Sequence, residues 1–151
     1  MIIKIKKTNS GFTLIELLVV IVIIGLLTGI LLVNYNSVRQ RGRDAKRKSD
    51  LQQVASALEI YKADYGSYPI GSGGVITCEG GGPCSWGSAF TCDSTIYMSK
   101  LPQDPLSDYS YSYSSAGASY TLVACLENIA DPDKVPVQTC ASGVGYQVIN
   151  P

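Results

Sequence analysis

The side chains able to do covalent or acid–base chemistry are few in this chain. There is no histidine among its 151 residues, which excludes Ser-His-Asp and Cys-His catalysis, HExxH zinc sites and an imidazole pH switch within one chain. The Gly-rich stretch 71–87 contains neither GxGxxG nor GxxxxGK[ST] and predicts a loop rather than a nucleotide site. Five cysteines indicate an oxidising compartment. We therefore expect no enzyme.

One carboxylate stands where a charge is costly. Glu16 is the fifth residue of an apolar run from Phe12 to Val33, which as a helix at about 1.5 Å per residue could cross a bilayer. An ionised group in such a run costs about 2.5–3.5 kcal/mol when central, and usually has a function and a partner. The run itself contains no cation. The sequence therefore predicts a positive partner for Glu16 from elsewhere.

The segment around Glu16 resembles a known processing signal. A short leader with three lysines precedes the sequence GFTLIELLVV at residues 11–20, which is similar to the prepilin signature of type IV pilins and type II secretion pseudopilins. The resemblance implies a peptidase that cuts after Gly11 and methylates the new amine of Phe12. It also implies that Glu16 pairs with the N-terminal amine of a neighbouring subunit during filament assembly, which would supply the missing cation.

Two further stretches resemble the major pseudopilin of type II secretion. They are LEIYKADYGSYP, at residues 58–69, and LPQDP, at residues 101–105. The Gly-rich stretch and the C-terminal third depart from that pattern. The sequence therefore predicts a subunit of either a type IV pilus or a secretion pseudopilus, and it does not decide between the two.

The elements that would position these residues form an α+β, pilin-like fold. Apolar residues recur at helical 3-4-3-4 spacing; they are Leu51, Val54, Leu58, Tyr61 and Tyr65. Since no proline interrupts residues 12–65, the pattern predicts one long helix that ends at Gly66. Alternating Tyr and Ser at residues 109–114, followed by the segments 120–126 and 144–149, predict three antiparallel strands that cover the helix stripe.

The pattern and the resemblance together divide the chain into four expected parts. These are a prepilin leader (1–11), a transmembrane and assembly part of the helix (12–33), a soluble amphipathic part (34–65) and an extracytoplasmic, loop-rich β domain (66–151). The resemblance implies a bacterial inner-membrane protein with a cytoplasmic N-terminus that then enters an extracytoplasmic filament. The implied partners are copies of itself, minor pilins or pseudopilins, prepilin peptidase, an inner-membrane assembly platform and the lipid bilayer.

The cysteines allow two disulfides and one leftover thiol. Cys125 lies in the second predicted strand and Cys140 just before the third, so a bond between them would close a loop of about 15 residues, worth roughly 3 kcal/mol. Cys78, Cys84 and Cys92 compete for the second bond. We favour Cys78–Cys92, because Cys84 follows a proline at a predicted turn apex. A zinc site is the alternative, but the C-x5-C-x7-C spacing is poor for it.

Two binding alternatives concern charged segments. Many major pseudopilins hold calcium near their last strands, and Glu127, Asp131 and Asp133 offer oxygen ligands there; we expect a solvated acidic turn and no cofactor, with calcium as the alternative. The basic stretch 39–48 could contact DNA, as in a competence pilin, but lipid head groups and acidic neighbours are the expected contacts. An unprocessed, membrane-anchored binding protein is a further alternative to the filament subunit.

Overall fold

The structure is a computed structural model that describes the backbone of residues 11–150 and the side chains of residues 11–29 and 35–150. The predicted leader, except for Gly11, therefore lies outside the described residues. The chain divides into two compact units, Met1–Val38 and Arg39–Pro151.

One long helix, α1, extends over Leu14–Tyr65. It begins two residues later than predicted because Thr13 serves as its N-cap. It ends where the sequence predicts: Gly66 has a φ of 76°, and its amide donates a hydrogen bond to the carbonyl of Lys62 at 2.8 Å. Glycine adopts this left-handed conformation without steric cost, which is why it ends helices so often.

Nine short strands follow the helix among the described residues. They are β1 (Ile70–Ser72), β2 (Val75–Thr77), β3 (Pro83–Cys84), β4 (Phe90–Cys92), β5 (Thr95–Met98), β6 (Ser112–Ser115), β7 (Tyr120–Cys125), β8 (Val135–Pro136) and β9 (Val144–Asn150). They form a three-stranded sheet β1-β2-β3, a hairpin β4-β5 and a four-stranded sheet β6-β7-β9-β8, all with antiparallel pairing. The α+β fold with a long N-terminal helix and small antiparallel sheets is thus confirmed.

The core lies between the second half of α1 and the sheets. The side chains of Leu51, Val54 and Leu58 are completely buried, and Tyr61 is 1% exposed. From the sheet, Leu122 and Ala124 of β7 are also completely buried, while Val123 between them is partly exposed. The alternation gives the four-stranded sheet one face toward the core and one face outward.

The Gly-rich stretch is not the plain loop that its composition predicts. It contains β1, β2 and β3, and Ser72 pairs with Val75 across a two-residue turn. Both turn residues, Gly73 and Gly74, have positive φ, the conformation that tight hairpin turns require. Gly73 and Gly74 therefore form a hairpin turn, and glycine content alone did not exclude strands here.

The Tyr-Ser row also differs from its prediction. β6 begins at Ser112 rather than at Tyr109, because the Tyr109 amide donates to the Leu106 carbonyl in a turn at 3.2 Å. Tyr111 and Tyr113 are buried, while Tyr109 is half-buried.

Candidate assembly site and the buried ion-pair cluster

The N-terminal unit presents a helix that is apolar on all sides. Every described side chain from residue 11 to residue 29 is exposed, and Phe12 reaches 84%. A helix that is apolar all round is normally buried, in a membrane or among other helices. Within the described residues, however, no helical stretch meets the length and hydropathy needed to span a bilayer. The side chains of residues 30–33 of the predicted span lie outside the described part.

Glu16 is held at the first turn of this helix by Thr13. The Thr13 backbone amide and hydroxyl donate to Oε2 of Glu16 at 2.8 and 2.7 Å. In return, Oγ1 of Thr13 accepts a hydrogen bond from the Glu16 amide at 3.3 Å. This reciprocal pair is a capping box, and the T-x-x-E spacing was the signal for it in the sequence. The Glu16 carboxylate is thereby held next to Thr13, one residue after Phe12, and it remains exposed.

In the second unit, Arg47 occupies the centre of a buried ion-pair cluster. Its side chain is completely buried. Nε and Nη2 donate to the two carboxylate oxygens of Asp104, both at 2.7 Å, and Nη1 donates to Asp44 and to Glu127, each at 2.7 Å. Desolvation lowers the pKa of Arg47, but the hydrogen bonds to these three carboxylates outweigh it and raise the pKa above its ordinary value.

Glu127 is shared between two arginines. Arg43 donates to its two oxygens in the parallel geometry that a guanidinium forms with a carboxylate, and Arg47 adds a third hydrogen bond. These contacts, led by the hydrogen bonds from Arg43, hold the pKa of Glu127 at about 2, although burial opposes the shift. Glu127 is therefore ionised at neutral pH and unavailable to a separate cation.

Asp44 extends the cluster to the polypeptide backbone. Its oxygens accept hydrogen bonds from the amides of Glu127 at 3.0 Å and Asn128 at 2.8 Å. Six residues further along α1, Asp50 accepts a hydrogen bond from the hydroxyl of Tyr111 at 2.8 Å. Burial, followed by this contact, raises the pKa of Tyr111. Residues of α1 therefore anchor the segments on either side of β6 and β7.

The three candidate calcium ligands are not brought together. Glu127 belongs to the arginine cluster, whereas Asp131 and Asp133 both accept hydrogen bonds from Nζ of Lys48. Desolvation opposes the charge of Asp131, but the Lys48 contact prevails and lowers its pKa. Among the described residues no group of three or more Cys, Asp or Glu side chains could hold a metal ion.

Pairing within the chain also accounts for most of the basic stretch 39–48. Arg43, Arg47 and Lys48 are bound to carboxylates as described, and Lys46 lies 3.2 Å from Asp50. Sequence reasoning assigned these cations to lipid head groups and neighbouring subunits and missed their partners in the same chain. Asp44 and Asp50, which interrupt the run, were the available signal. A DNA-binding face at these positions is not favoured by this pairing.

The disulfides form as the sequence predicts. Cys125 is bonded to Cys140, and Cys78 is bonded to Cys92. Cys84 is a buried free thiol whose sulfur lies 3.9 Å from that of Cys78. The first bond anchors the loop before β9 to β7, and the second joins the end of β2 to β4.

Two family models match this chain, one over its N-terminal segment and one over most of the remainder. Residues 6–32 match the model of the prokaryotic N-terminal methylation motif. Residues 34–125 match the model of the family described as type II secretion system (T2SS), protein G. No solved structure matches the chain.

Curated relatives carry the same description. A protein of Aeromonas hydrophila named type II secretion system core protein G is 33% identical over 66% of this chain and 69% of its own length. Proteins of that name from Klebsiella pneumoniae and Dickeya chrysanthemi are 36% and 30% identical, over 68% and 79% of this chain and 74% and 71% of their own lengths. Since the second family model covers more than half of the residues, the chain belongs to the type II secretion system protein G family of structural pseudopilins.

Proposed function

We propose that this chain is a filament subunit that is cleaved after Gly11, methylated on the amine of Phe12 and polymerised through its N-terminal helix. In this proposal the carboxylate of Glu16 pairs with the methylated amine of a neighbouring copy. Minor pseudopilins, prepilin peptidase and an inner-membrane assembly platform are the further partners. The chain begins in the inner membrane with its N-terminus in the cytoplasm and ends in an extracytoplasmic filament of the type II secretion system.

The observation that carries this proposal is the exposed apolar helix start with one fixed carboxylate. Leaving so many apolar side chains in water is unfavourable, at about 25 cal/mol per Å², so residues 12–33 need a membrane or other helices around them. Both environments disfavour an unpaired charge. Thr13 satisfies part of the hydrogen-bonding capacity of Glu16 but does not neutralise it. Cleavage after Gly11 would create the missing cation on Phe12, within the same apolar run.

The remaining parts follow from this assignment. Residues 1–11 are the leader and leave with their three lysines, which lowers the barrier to extraction into the filament. Residues 34–65 carry the helix into the soluble unit, and residues 66–151 form the domain outside the membrane. Within the second unit, the buried cluster around Arg47 joins residues of α1 to Asp104 and Glu127 of that domain.

Variants of Glu16 separate its charge from its capping role. Glu16→Gln keeps a side chain that can complete the capping box but removes the charge, while Glu16→Ala removes both. We expect both variants to enter the membrane at least as well as the wild type, and both to reduce filament yield strongly in cells. Near-normal filament yield with Glu16→Gln would show that capping, not ion pairing, is what assembly needs, and would contradict the proposed pair.

A variant of Gly11 tests the cleavage site. A side chain placed at Gly11 would meet no other atom within 4 Å, so Gly11→Val leaves the described fold undisturbed. We expect full-length precursor to accumulate in the membrane and filaments to be absent, because the peptidase implied by this motif needs a small residue before the cut. Appearance of Phe12 as the N-terminus in this variant would show that the assigned site is wrong.

A further inference from the structure

A groove of about 620 Å³ lies on the outward face of the four-stranded sheet. Val123 and Cys125, the partly exposed residues of β7, line it together with Thr139 and Trp86. A second recess of about 340 Å³ continues it. The two recesses share Trp86, Tyr109, Ser110 and Tyr111. Their combined size falls in the range of small-molecule sites in proteins.

The aromatic wall of this groove is fixed in place. Nε1 of Trp86 donates to the carbonyl of Gly74 at 3.1 Å. The Trp86 ring packs against Tyr111 edge to face, with centroids 5.5 Å apart, and the hydroxyl of Tyr111 is held by Asp50. Tyr109 lies over the guanidinium of Arg47, 5.1 Å from its ring centroid. A ligand would therefore meet a preformed surface and lose little free energy to ordering it.

The lining favours a neutral, polar ligand with apolar faces. Aromatic rings offer negative faces to C–H groups, and Ser110, Thr139 and Asp108 offer hydrogen-bonding oxygens. None of the described residues that line the two recesses is Lys or Arg. An anionic ligand would find no countercharge here and would be repelled by Asp108.

An extended peptide fits this groove less well. Peptides of that kind bind by pairing with an open strand edge, but the edge of β6 is closed. The Tyr113 amide already donates to the carbonyl of Gly74 at 3.0 Å. Gly71 lies so close that a side chain on it would come within 2.5 Å of the Ser115 amide nitrogen.

We propose that this groove binds an uncharged oligosaccharide, a function beyond the filament role. Sugar rings stack on Trp86 and Tyr109, and their hydroxyls bond to Asp108, Ser110 and Thr139. Pyranose rings combine apolar C–H faces with a rim of hydroxyls, which is the combination that the lining offers.

Fluorescence of Trp86 tests the proposal directly, since it is the single tryptophan of the chain. The full chain, kept in a detergent without a sugar head group such as lauryldimethylamine oxide, is titrated with cello-, chito-, malto- and manno-hexaose. We expect a saturable change in emission with at least one of these probes. Polygalacturonate, as an anionic sugar polymer, and a neutral, extended peptide should give none.

Variants locate the binding. Ser110→Arg and Thr139→Arg each place a large side chain in the groove from an exposed position, and both should weaken binding at least about tenfold. Ser119→Arg, at an exposed position of the β6–β7 turn that does not line the groove, should bind as the wild type does. The proposal is overturned if no neutral probe binds, if the anionic polymer or the peptide binds instead, or if the two groove variants match Ser119→Arg.

Discussion

At the residue scale, Arg47 decides how the soluble unit is held together. Two nitrogens of its planar guanidinium, Nε and Nη2, donate hydrogen bonds to Asp104. The third, Nη1, donates to Asp44 and Glu127. A lysine has a single nitrogen and could not reproduce this geometry. All side-chain nitrogen and oxygen atoms that are buried in the described residues have a hydrogen-bond partner, so the removal of Arg47 would leave several acceptors unpaired.

We predict that Arg47→Met destabilises the soluble unit severely. Removing one partner of a buried ion pair typically costs about 3–5 kcal/mol because the remaining charges stay desolvated. The matched control is Lys46→Met, since Lys46 is 55% exposed in its pair with Asp50 and such pairs are worth about 0–1 kcal/mol. Urea unfolding of the full chain in detergent, followed by Trp86 emission, measures both. Equal stability of the two variants would contradict the central role of Arg47.

Glu127 gives the unit a defined dependence on pH. Its pKa in the folded chain is about 2, below the ordinary value of 4.5, so the unfolded chain takes up the proton first as the pH falls. The stabilisation is complete above pH 4.5 and is lost as the pH falls through 2; it amounts to at most about 3 kcal/mol. Subtracting the unfolding free energies of Glu127→Gln from those of the wild type across this range isolates the contribution. A difference that does not shrink toward low pH would be inconsistent with an ionised Glu127 in the cluster.

At the scale of elements, the acidic segment between β7 and β8 is held by a side chain of α1. Nζ of Lys48 bonds to Asp131 and Asp133, and the Cys125–Cys140 disulfide closes the same segment. The positive charge of the Lys48 ammonium group thus compensates both carboxylates, which is the role that a bound cation would have.

We therefore predict that calcium has no effect on the stability of the wild-type unit. A ligand that binds only the folded state raises the free energy of unfolding by RT ln(1 + [L]/Kd), so a calcium site would raise the melting temperature when calcium replaces a chelator. Scanning calorimetry with calcium and with EDTA should give equal melting temperatures for the wild type. Lys48→Met should melt lower than the wild type in both. A clear calcium-dependent rise in the wild type would restore the calcium alternative.

Elements with a local signal could be predicted from the sequence. Each of these elements has its signal within a short stretch of sequence. The examples are the apolar stripe from Leu51 to Tyr61, the end of α1 at Gly66 and the strand at 120–125. The complete Arg47 cluster could not be predicted, because Asp104 and Glu127 lie 57 and 80 positions from Arg47 and only the fold brings them together. The strands β1 to β5 were missed for a different reason: they are two to four residues long, too short for a periodic pattern.

At the scale of the whole molecule, the sequence carries opposite charges in its two halves. Residues 1–65 contain ten basic and five acidic side chains, whereas residues 66–151 contain two and seven. The pairs of Arg43, Arg47 and Lys48 with Glu127, Asp104 and Asp131 neutralise part of this asymmetry within the second unit. The long-range ion pairs therefore join the basic part of the helix to acidic segments of the same chain, whereas Glu16 has hydrogen bonds from Thr13 but no ion pair among the described residues.

The mass of the N-terminal peptide in purified filaments tests the proposed function most directly. Filaments are sheared from cells, digested with a protease and analysed by mass spectrometry. The account predicts a peptide that begins at Phe12 and carries one methyl group on its amine, which is the cation that Glu16 needs. Filaments built from chains that still carry the leader, or a mature chain that begins at another residue, would contradict it.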